Sequence, residues 1–394
     1  MNFEINEEHR TFLDTFRNFC RKEIEPYTAE SEKEGMIPRF HYKKLYEIGY
    51  TGLMHEEKYG GSDSGYELSV LAQEILSEYC GSTFFSSGAS VGLFGLPLRE
   101  HGTDAQKEKY LPNIIKGEII GALAVTEPGA GSDVSNIQTK AVKKGDNYYI
   151  SGQKTYITNA PICDFALVLA DAFDGEKKLG QTVFIVDMET AGVSRGRPMD
   201  KMGLRGSPTG EIFFENAEVS ESDILGKKGR GFKIIMDAFN RERISLGAYS
   251  TGVMAACLSE SKRYSKERKA FGRPISKHQS VGFMLAEMLT KYTASKELLH
   301  ETAWMMDRFS GKEGELHNGY PVDLTAKTSI IKLLASTYAR EVCNMAVQIH
   351  GGAGYMEEYK VCRLYRDIKI AEIGGGTSEI QKQIIARSEG KRVR

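Results

Sequence analysis

The sequence predicts an α+β protein in which an all-α block, an all-β block and a second all-α block follow one another. Three observations carry this. Apolar residues recur at three and four through the first 120 positions, the period shifts to that of strands, and the helical period then returns and persists to the end. The expected domains are 1–120, 121–228 and 229–394.

In the first block Leu13, Phe16 and Phe19–Cys20 mark one apolar stripe, and Leu68, Leu71, Ile75 and Leu76 mark another. Pro26, Pro38 and Gly60–Gly61 punctuate the segments. In the second block Gly145, Asp146 and Asn147 read as a hairpin turn between two β-prone runs. The runs Ala166–Ala170, Thr182–Asp187 and Glu211–Phe214 follow. Strands and helices do not alternate, so a doubly wound sheet is not expected. In the third block, stretches at 231–265, 276–309 and 323–349 predict four or more packed helices. The basic tail from Lys391 to Arg394 is expected to fray.

Composition excludes several function classes. The chain has 394 residues, 41% hydrophobic and 27% charged, which is globular and not disordered. Its 52 basic and 53 acidic residues leave a formal charge of −1, without a gross footprint for nucleic acid or an anionic membrane. The six cysteines (Cys20, Cys80, Cys163, Cys257, Cys343, Cys362) have no paired spacing and read as reduced thiols of a cytoplasmic protein. No two histidines stand at i, i+4, so no metal site is expected. No apolar run approaches the roughly 20 residues that span a bilayer, and the acidic N-terminus does not read as a leader.

Four segments carry candidate chemistry. In AVTEPGAGSD, residues 124–133, Gly129 and Gly131 let the backbone approach a ligand, while Thr126 and Ser132 can donate to ring carbonyls or phosphate. In GQKTYITNA, residues 152–160, Tyr156 can stack on a flat ring with Thr158 donating beside it. In QIHGGAGYMEEYKVCRLYRD, residues 348–367, glycines interrupt a helix before a charged face. In IGGGTSEIQ, residues 373–381, three glycines precede a helix N-cap at Thr377 or Ser378. Taken singly, each also reads as an ordinary turn, strand or helix end. The standard dinucleotide and phosphate-loop patterns are absent.

In this order the segments resemble the acyl-CoA dehydrogenase family over essentially the whole chain. VTEPGAGSD and the pattern from Gln348 to Asp367 are similar to that family's two signatures, the first departing only at Asn136, and ERKAFGRPISKHQ (267–279) is a third match. The resemblance implies a flavoprotein oxidoreductase with an N-terminal helical domain, a middle β-barrel-like domain and a C-terminal four-helix bundle. It implies a homotetramer, a dimer of dimers, binding FAD between the middle and C-terminal domains. Thr126 and Thr158 look like flavin-ring donors, Tyr156 like the aromatic beside the ring, and Ser132 like a contact near pyrophosphate or substrate. Arg268, Phe271, Gln279, Gln348 and Gly352 resemble dinucleotide contacts made across a subunit interface; Thr377 and Glu379 match the remaining cofactor positions.

The catalytic base is where the sequence departs. Most members place a glutamate before the Gly-Thr of the C-terminal motif, and here that position is Gly375. A minority, resembling isovaleryl-CoA and long-chain enzymes, carry the base on the first long helix of the bundle, which is Glu242 here. Independently, Ile235, Phe239, Glu242, Leu246, Tyr249 and Val253 recur at three and four, which puts Glu242 on an apolar stripe. A lone carboxylate buried there has a raised pKa, as a base needs. A buried salt bridge to Arg241, Arg243 or another arginine is the structural alternative, and Glu372 is the rival carboxylate.

The resemblance implies that Glu242 takes the proton α to an acyl thioester carbonyl while the β-hydrogen leaves as hydride to the flavin. The backbone N–H of Gly375 would steady the carbonyl oxygen, a contact that needs no side chain. Arg243 resembles the arginine beside the substrate, and Asn240 stands where relatives often have Asp. The expected substrate is a short, branched or cyclic acyl-CoA, with an electron-transferring flavoprotein as acceptor. Alternatives are a dehydrogenase or oxidase of a carrier-protein-tethered aminoacyl (prolyl-like) thioester, and a non-enzymatic flavin-bearing scaffold. Residues around 80–100 and 240–250 are expected to shape the pocket floor, with Gly81, Gly88, Gly92 and Gly95 leaving room.

Overall fold

The structure, a computed structural model, describes residues 6–392 apart from 313, 318 and 319. Local signals start the first elements. Asn6 accepts from the His9 N–H and opens α1 (Glu7–Phe19). Then come α2 (Thr28–Glu34), α3 (Phe40–Glu47), α4 (Gly65–Tyr79), α5 (Gly81–Gly88), α6 (Leu96–His101) and α7 (Asp104–Ile115). Thr103 and Gln106 form a reciprocal capping box at the start of α7. Between α5 and α6 the chain widens into a π-helical turn over Ala89–Gly95, a distortion often found beside functional sites.

The middle block holds β1 (Gly121–Ala124), β2 (Lys140–Lys144), β3 (Asn147–Thr158), β4 (Phe165–Asp174), β5 (Lys177–Asp187), β6 (Val193–Arg195), β7 (Thr209–Ser220) and β8 (Ile224–Leu225). Gly145, at φ +62°, turns the β2–β3 hairpin where the sequence places it. The strands form one sheet in the order β6-β7-β3-β2-β4-β5-β8, with β1 joining β4 in parallel. Among the described residues β6 and β8 do not pair, so hydrogen bonding does not close the sheet into a barrel.

The third block comprises α8 (Gly231–Glu267), a short hairpin of β9 (Lys269–Ala270) and β10 (Arg273–Pro274), α9 (Gln279–Phe309), α10 (Leu324–His350), α11 (Lys360–Asp367) and α12 (Ser378–Arg392). Gly351, at φ +59°, ends α10 at the predicted break. Side chains of the basic tail, and its last two residues altogether, lie outside the described residues.

The two helical blocks share one core. Leu68, Ile75 and Leu76 of α4 pack in the same cluster as Val253, Met254 and Cys257 of α8 and Val342 and Cys343 of α10. One face of the sheet, with Leu167, Leu169, Val183 and Ile185, packs against Phe94, Tyr110, Leu111 and Ile114 and against Ile234 and Ile235 of α8. α8 therefore touches every block. Asp367, the last residue of the longer signature, accepts from the Leu204 N–H at 2.6 Å and ties the β domain to α11.

The TEPGAGSD loop is anchored by a buried ion pair. Lys154 and Glu127 are both sealed from solvent, with Nζ 2.7 Å from Oε1. Lys154 also donates to the Val125 carbonyl, and Glu127 accepts from Thr139 Oγ1 and from the N–H groups of Gln138 and Thr139. Removing one member leaves an uncompensated buried charge. Lys154→Met should lower unfolding free energy by about 3–5 kcal/mol, and the double variant Lys154→Met, Glu127→Gln should recover most of it. Guanidinium denaturation checks both; a cost under about 1 kcal/mol for the single variant would refute the anchoring role.

Candidate active site

A cleft with about 790 Å³ of empty space, part of it open to solvent, lies between α8, α4 and the α5–α6 wall. Phe84, Phe85, Leu93 and Leu96 make one side apolar, and Ser69 and Gln73 of α4 face it. Of the glycines expected to leave room, Gly88 and Gly92 line the cleft, and a methyl group on either would meet nothing within 4 Å. Gly81 and Gly95 serve close packing instead. A Cβ on Gly81 would stand 2.8 Å from Leu204 Cδ2, and one on Gly95 would stand 3.0 Å from His55 Cε1.

Ala238, Arg241, Glu242, Ser245 and Leu246 present α8 to the cleft at helical spacing. Glu242 keeps part of its surface open there, yet protein encloses the carboxyl deeply. Burial pushes its pKa up to about 7 against the pull of Arg243 and Lys332. The salt-bridge alternative fails on geometry. Arg241 pairs with Glu100, Arg243 bonds Asn240 Oδ1 and the Gly375 carbonyl, and no described residue forms a hydrogen bond or ion pair with the Glu242 carboxyl. Glu372 does not compete. Burial acts to raise its pKa, but Lys369 and Arg340 bind both oxygens and hold it below the ordinary range.

Gly375 closes the site. It sits at φ +63°, which a glycine adopts freely, and a Cβ there would lie 3.5 Å from Glu242 Oε2. The two alternative positions for a base in the sequence thus converge in space. Three side chains hold the carbonyls of this loop. Arg243 Nε donates to Gly375 O at 3.4 Å, Lys332 Nζ to Gly376 O at 2.7 Å, and Gln381 Nε2 to both at 3.0 and 2.8 Å. Among the described residues the N–H groups of Gly375, Gly376 and Thr377 have no protein acceptor. Asn240, whose Oδ1 accepts from Arg243, donates to Thr325 Oγ1 at 3.2 Å.

Lys332 and Gln381 were not among the residues sequence reasoning selected. The available signal was a lysine inside the apolar run SIIKLLA; Lys332 is fully buried, and burial lowers its pKa to about 8.

The candidate cofactor residues fall into separate groups. Thr126 and Thr158 are half-buried, and the Thr155 N–H donates to the Thr126 carbonyl, joining the loop after β1 to β3. Beside them Tyr156 bulges from β3 at φ +58°, where the β3–β7 register slips, and is 69% exposed. An aromatic ring held outward on a strained backbone, flanked by two hydroxyls, fits a flat ligand with hydrogen-bonding edges such as flavin. Ser132 is exposed on the neighbouring loop. Arg268 and Gln279 are exposed at either end of the β9–β10 hairpin, and Phe271, on its turn, is 95% exposed at φ +49°. Gln348 and Gly352 are exposed around the end of α10. Thr377 Oγ1 accepts from the Ile380 N–H at 3.4 Å and caps α12, on whose first turn Glu379 is exposed. Among the described residues no helix is long and apolar enough to cross a membrane, and no His/Cys/Asp/Glu cluster could hold a metal ion.

Residues 6–118, 122–217 and 229–390 match the family descriptions acyl-CoA dehydrogenase N-terminal, middle and C-terminal domain, respectively. The probable acyl-CoA dehydrogenase YngJ of Bacillus subtilis is 40% identical over 390 residues, 98% of this chain and 99% of that one. The caffeyl-CoA reductase–Etf complex subunit CarC of Acetobacterium woodii is 37% identical over 385 residues, 97% and 98% of the two chains. Butyryl-CoA dehydrogenase from Megasphaera elsdenii has a solved structure similar at TM-score 0.91 and 35% identity, covering 100% of both chains. A structure of PigA with FAD and proline is similar at TM-score 0.92 and 28% identity, also over 100% of both.

An acid whose folded-state pKa is raised from 4.5 to about 7 binds more protons folded than unfolded in that window. Its contribution to stability therefore falls as pH rises through that range. Glu242→Gln should match wild type below this window and exceed it above by about 1–3 kcal/mol, the range allowing for water in the cleft. Thermal melts across pH read this directly; a difference independent of pH would contradict the raised pKa.

Proposed function

The chain belongs to the acyl-CoA dehydrogenase family, and on that premise we propose that it removes two hydrogens from Cα and Cβ of a short, branched or cyclic acyl-CoA, with Glu242 as the base. The observation that carries this reading is a carboxylate without a protein partner, facing a largely apolar cleft beside unused backbone N–H groups.

The thioester α-proton is weakly acidic, so its removal needs a base of matched pKa and stabilisation of the developing charge. A carboxyl poised near pH 7 meets the first need: a large fraction is ionised at neutral pH, yet burial keeps the anion reactive. The Cα proton moves to a Glu242 carboxylate oxygen. The Gly375 N–H serves the second need by donating to the thioester oxygen. Arg243, Lys332 and Gln381 fix the carbonyls of this loop and so pre-orient its amides. With FAD held beside Thr126, Tyr156 and Thr158, the flavin would supply the acceptor for the β-hydrogen, which leaves as hydride.

The exposed group Arg268, Phe271, Gln279, Gln348 and Gly352 suits a dinucleotide shared with a neighbouring copy in a homotetramer. An apolar side chain as open as Phe271 favours such an interface. The relative that works in a complex with Etf supports electron-transferring flavoprotein as the acceptor. Anaerobic mixing of the FAD-bound enzyme with a panel of acyl-CoAs should bleach the flavin for at least one ester, and kcat/KM should rise with pH through about 7. Glu242→Gln should slow bleaching by about 10²–10⁴-fold. A variant as fast as wild type would remove Glu242 from the mechanism; bleaching only by carrier-bound thioesters would move the substrate to the carrier class.

A further inference from the structure

Arg241 stands one position before Glu242 and lines the same cleft. Its Nη1 donates to both carboxylate oxygens of Glu100, at 2.8 and 2.7 Å, which ties α8 to α6. Nε and Nη2 form the adjacent edge of the guanidinium. Both are sealed from solvent and neither has a hydrogen-bond partner. That edge is a rigid pair of parallel N–H donors, the geometry that matches the two coplanar oxygens of a carboxylate.

A tether between helices needs only Nη1, so the packing of α8 on α6 leaves the second edge unexplained. Buried donors of a cation are rarely left unmatched, because their desolvation is then uncompensated. Two further lining residues carry unmatched atoms. Gln73 donates through Nε2 to Ser69 Oγ at 3.0 Å while its Oε1 has no partner. His55 is kept neutral by burial, its Nε2 lies 3.0 Å from the Val91 carbonyl, and its Nδ1 is unmatched. The cleft thus combines apolar walls with unmatched polar groups. A purely hydrocarbon acyl chain would leave the two Arg241 donors unmatched, whereas Gln73 Oε1 and His55 Nδ1 are acceptors that only a donor could match.

We propose that the cleft selects acyl thioesters whose chain ends in a second carboxylate, held by the Nε–Nη2 edge of Arg241. This rests on the reading of Glu242 as the base of an acyl-thioester dehydrogenase. The α-carbon lies at Glu242 and the far end of the chain reaches Arg241, whose sealed Nε–Nη2 edge turns toward the cleft to take it while Nη1 stays on Glu100. A methyl terminus forfeits both hydrogen bonds, so discrimination comes from unmatched donors more than from the size of the cleft.

The test uses the FAD-bound wild-type enzyme and two esters of equal carbon count, hexanoyl-CoA and adipyl-CoA. Initial rates of anaerobic flavin reduction give kcat/KM, and calorimetry gives binding. The ω-carboxy ester should be favoured at least about 30-fold in kcat/KM. Arg241→Met should bring the ratio near one and weaken adipyl-CoA binding, while Arg241→Lys should restore part of the preference. The wild-type comparison stands even if a variant folds poorly. Equal or better turnover of hexanoyl-CoA overturns the inference and leaves the dehydrogenase reading in place. Failure of both esters, and of every ester in the acyl-CoA panel, to reduce the flavin overturns both readings.

Discussion

Burial of the Glu242 carboxyl on α8 sets the terms for its surroundings. An ionised carboxylate in an apolar cleft is poorly solvated, and here neighbouring arginines are directed elsewhere: Arg241 toward Glu100, Arg243 toward Asn240 and the Gly375 carbonyl. Had either reached Glu242, the carboxyl would have become an ordinary ion pair with a depressed pKa. The long helix that carries it packs against α4, α9 and α10 and touches the sheet, so the carboxyl is held by the shared core of the molecule. A group that costs stability is thus carried by the helix that packs against every block.

The same logic governs the Gly375–Gly376 loop. Two glycines at positive φ turn the backbone past Glu242, and three buried side chains seize its carbonyls. Gly375 is a glycine for two reasons that coincide: its backbone region favours one, and a Cβ would stand 2.7 Å from Leu246 Cδ1. On the other domain the Lys154–Glu127 pair fixes the TEPGAGSD loop, so polar contacts with little solvent position both loops.

The order of helical and β blocks was legible because periodicity survives tertiary context in long segments. Tyr156 and Glu242 were legible for opposite reasons, one an aromatic in a strand pattern beside hydroxyls, the other an acid on an apolar stripe. Other features were not. Lys332 and Gln381 act on a loop distant in sequence, and spacing alone does not pair them with it. Gly81, Gly88, Gly92 and Gly95 look alike in sequence, yet two make close contacts and two face open space, a distinction set by what lies opposite. Asp367 reads as part of a charged face, whereas it is buried and bonds the Leu204 backbone across a domain boundary.

Everything at this site turns on Glu242 losing its proton near neutral pH. An infrared pH titration observes that proton without turnover, through the C=O stretch of the protonated carboxyl. A carboxyl band should disappear with a midpoint around pH 7 and be missing from Glu242→Gln. If the band that Glu242→Gln removes titrates near 4.5, the ordinary glutamate value, Glu242 is not a buried base of raised pKa.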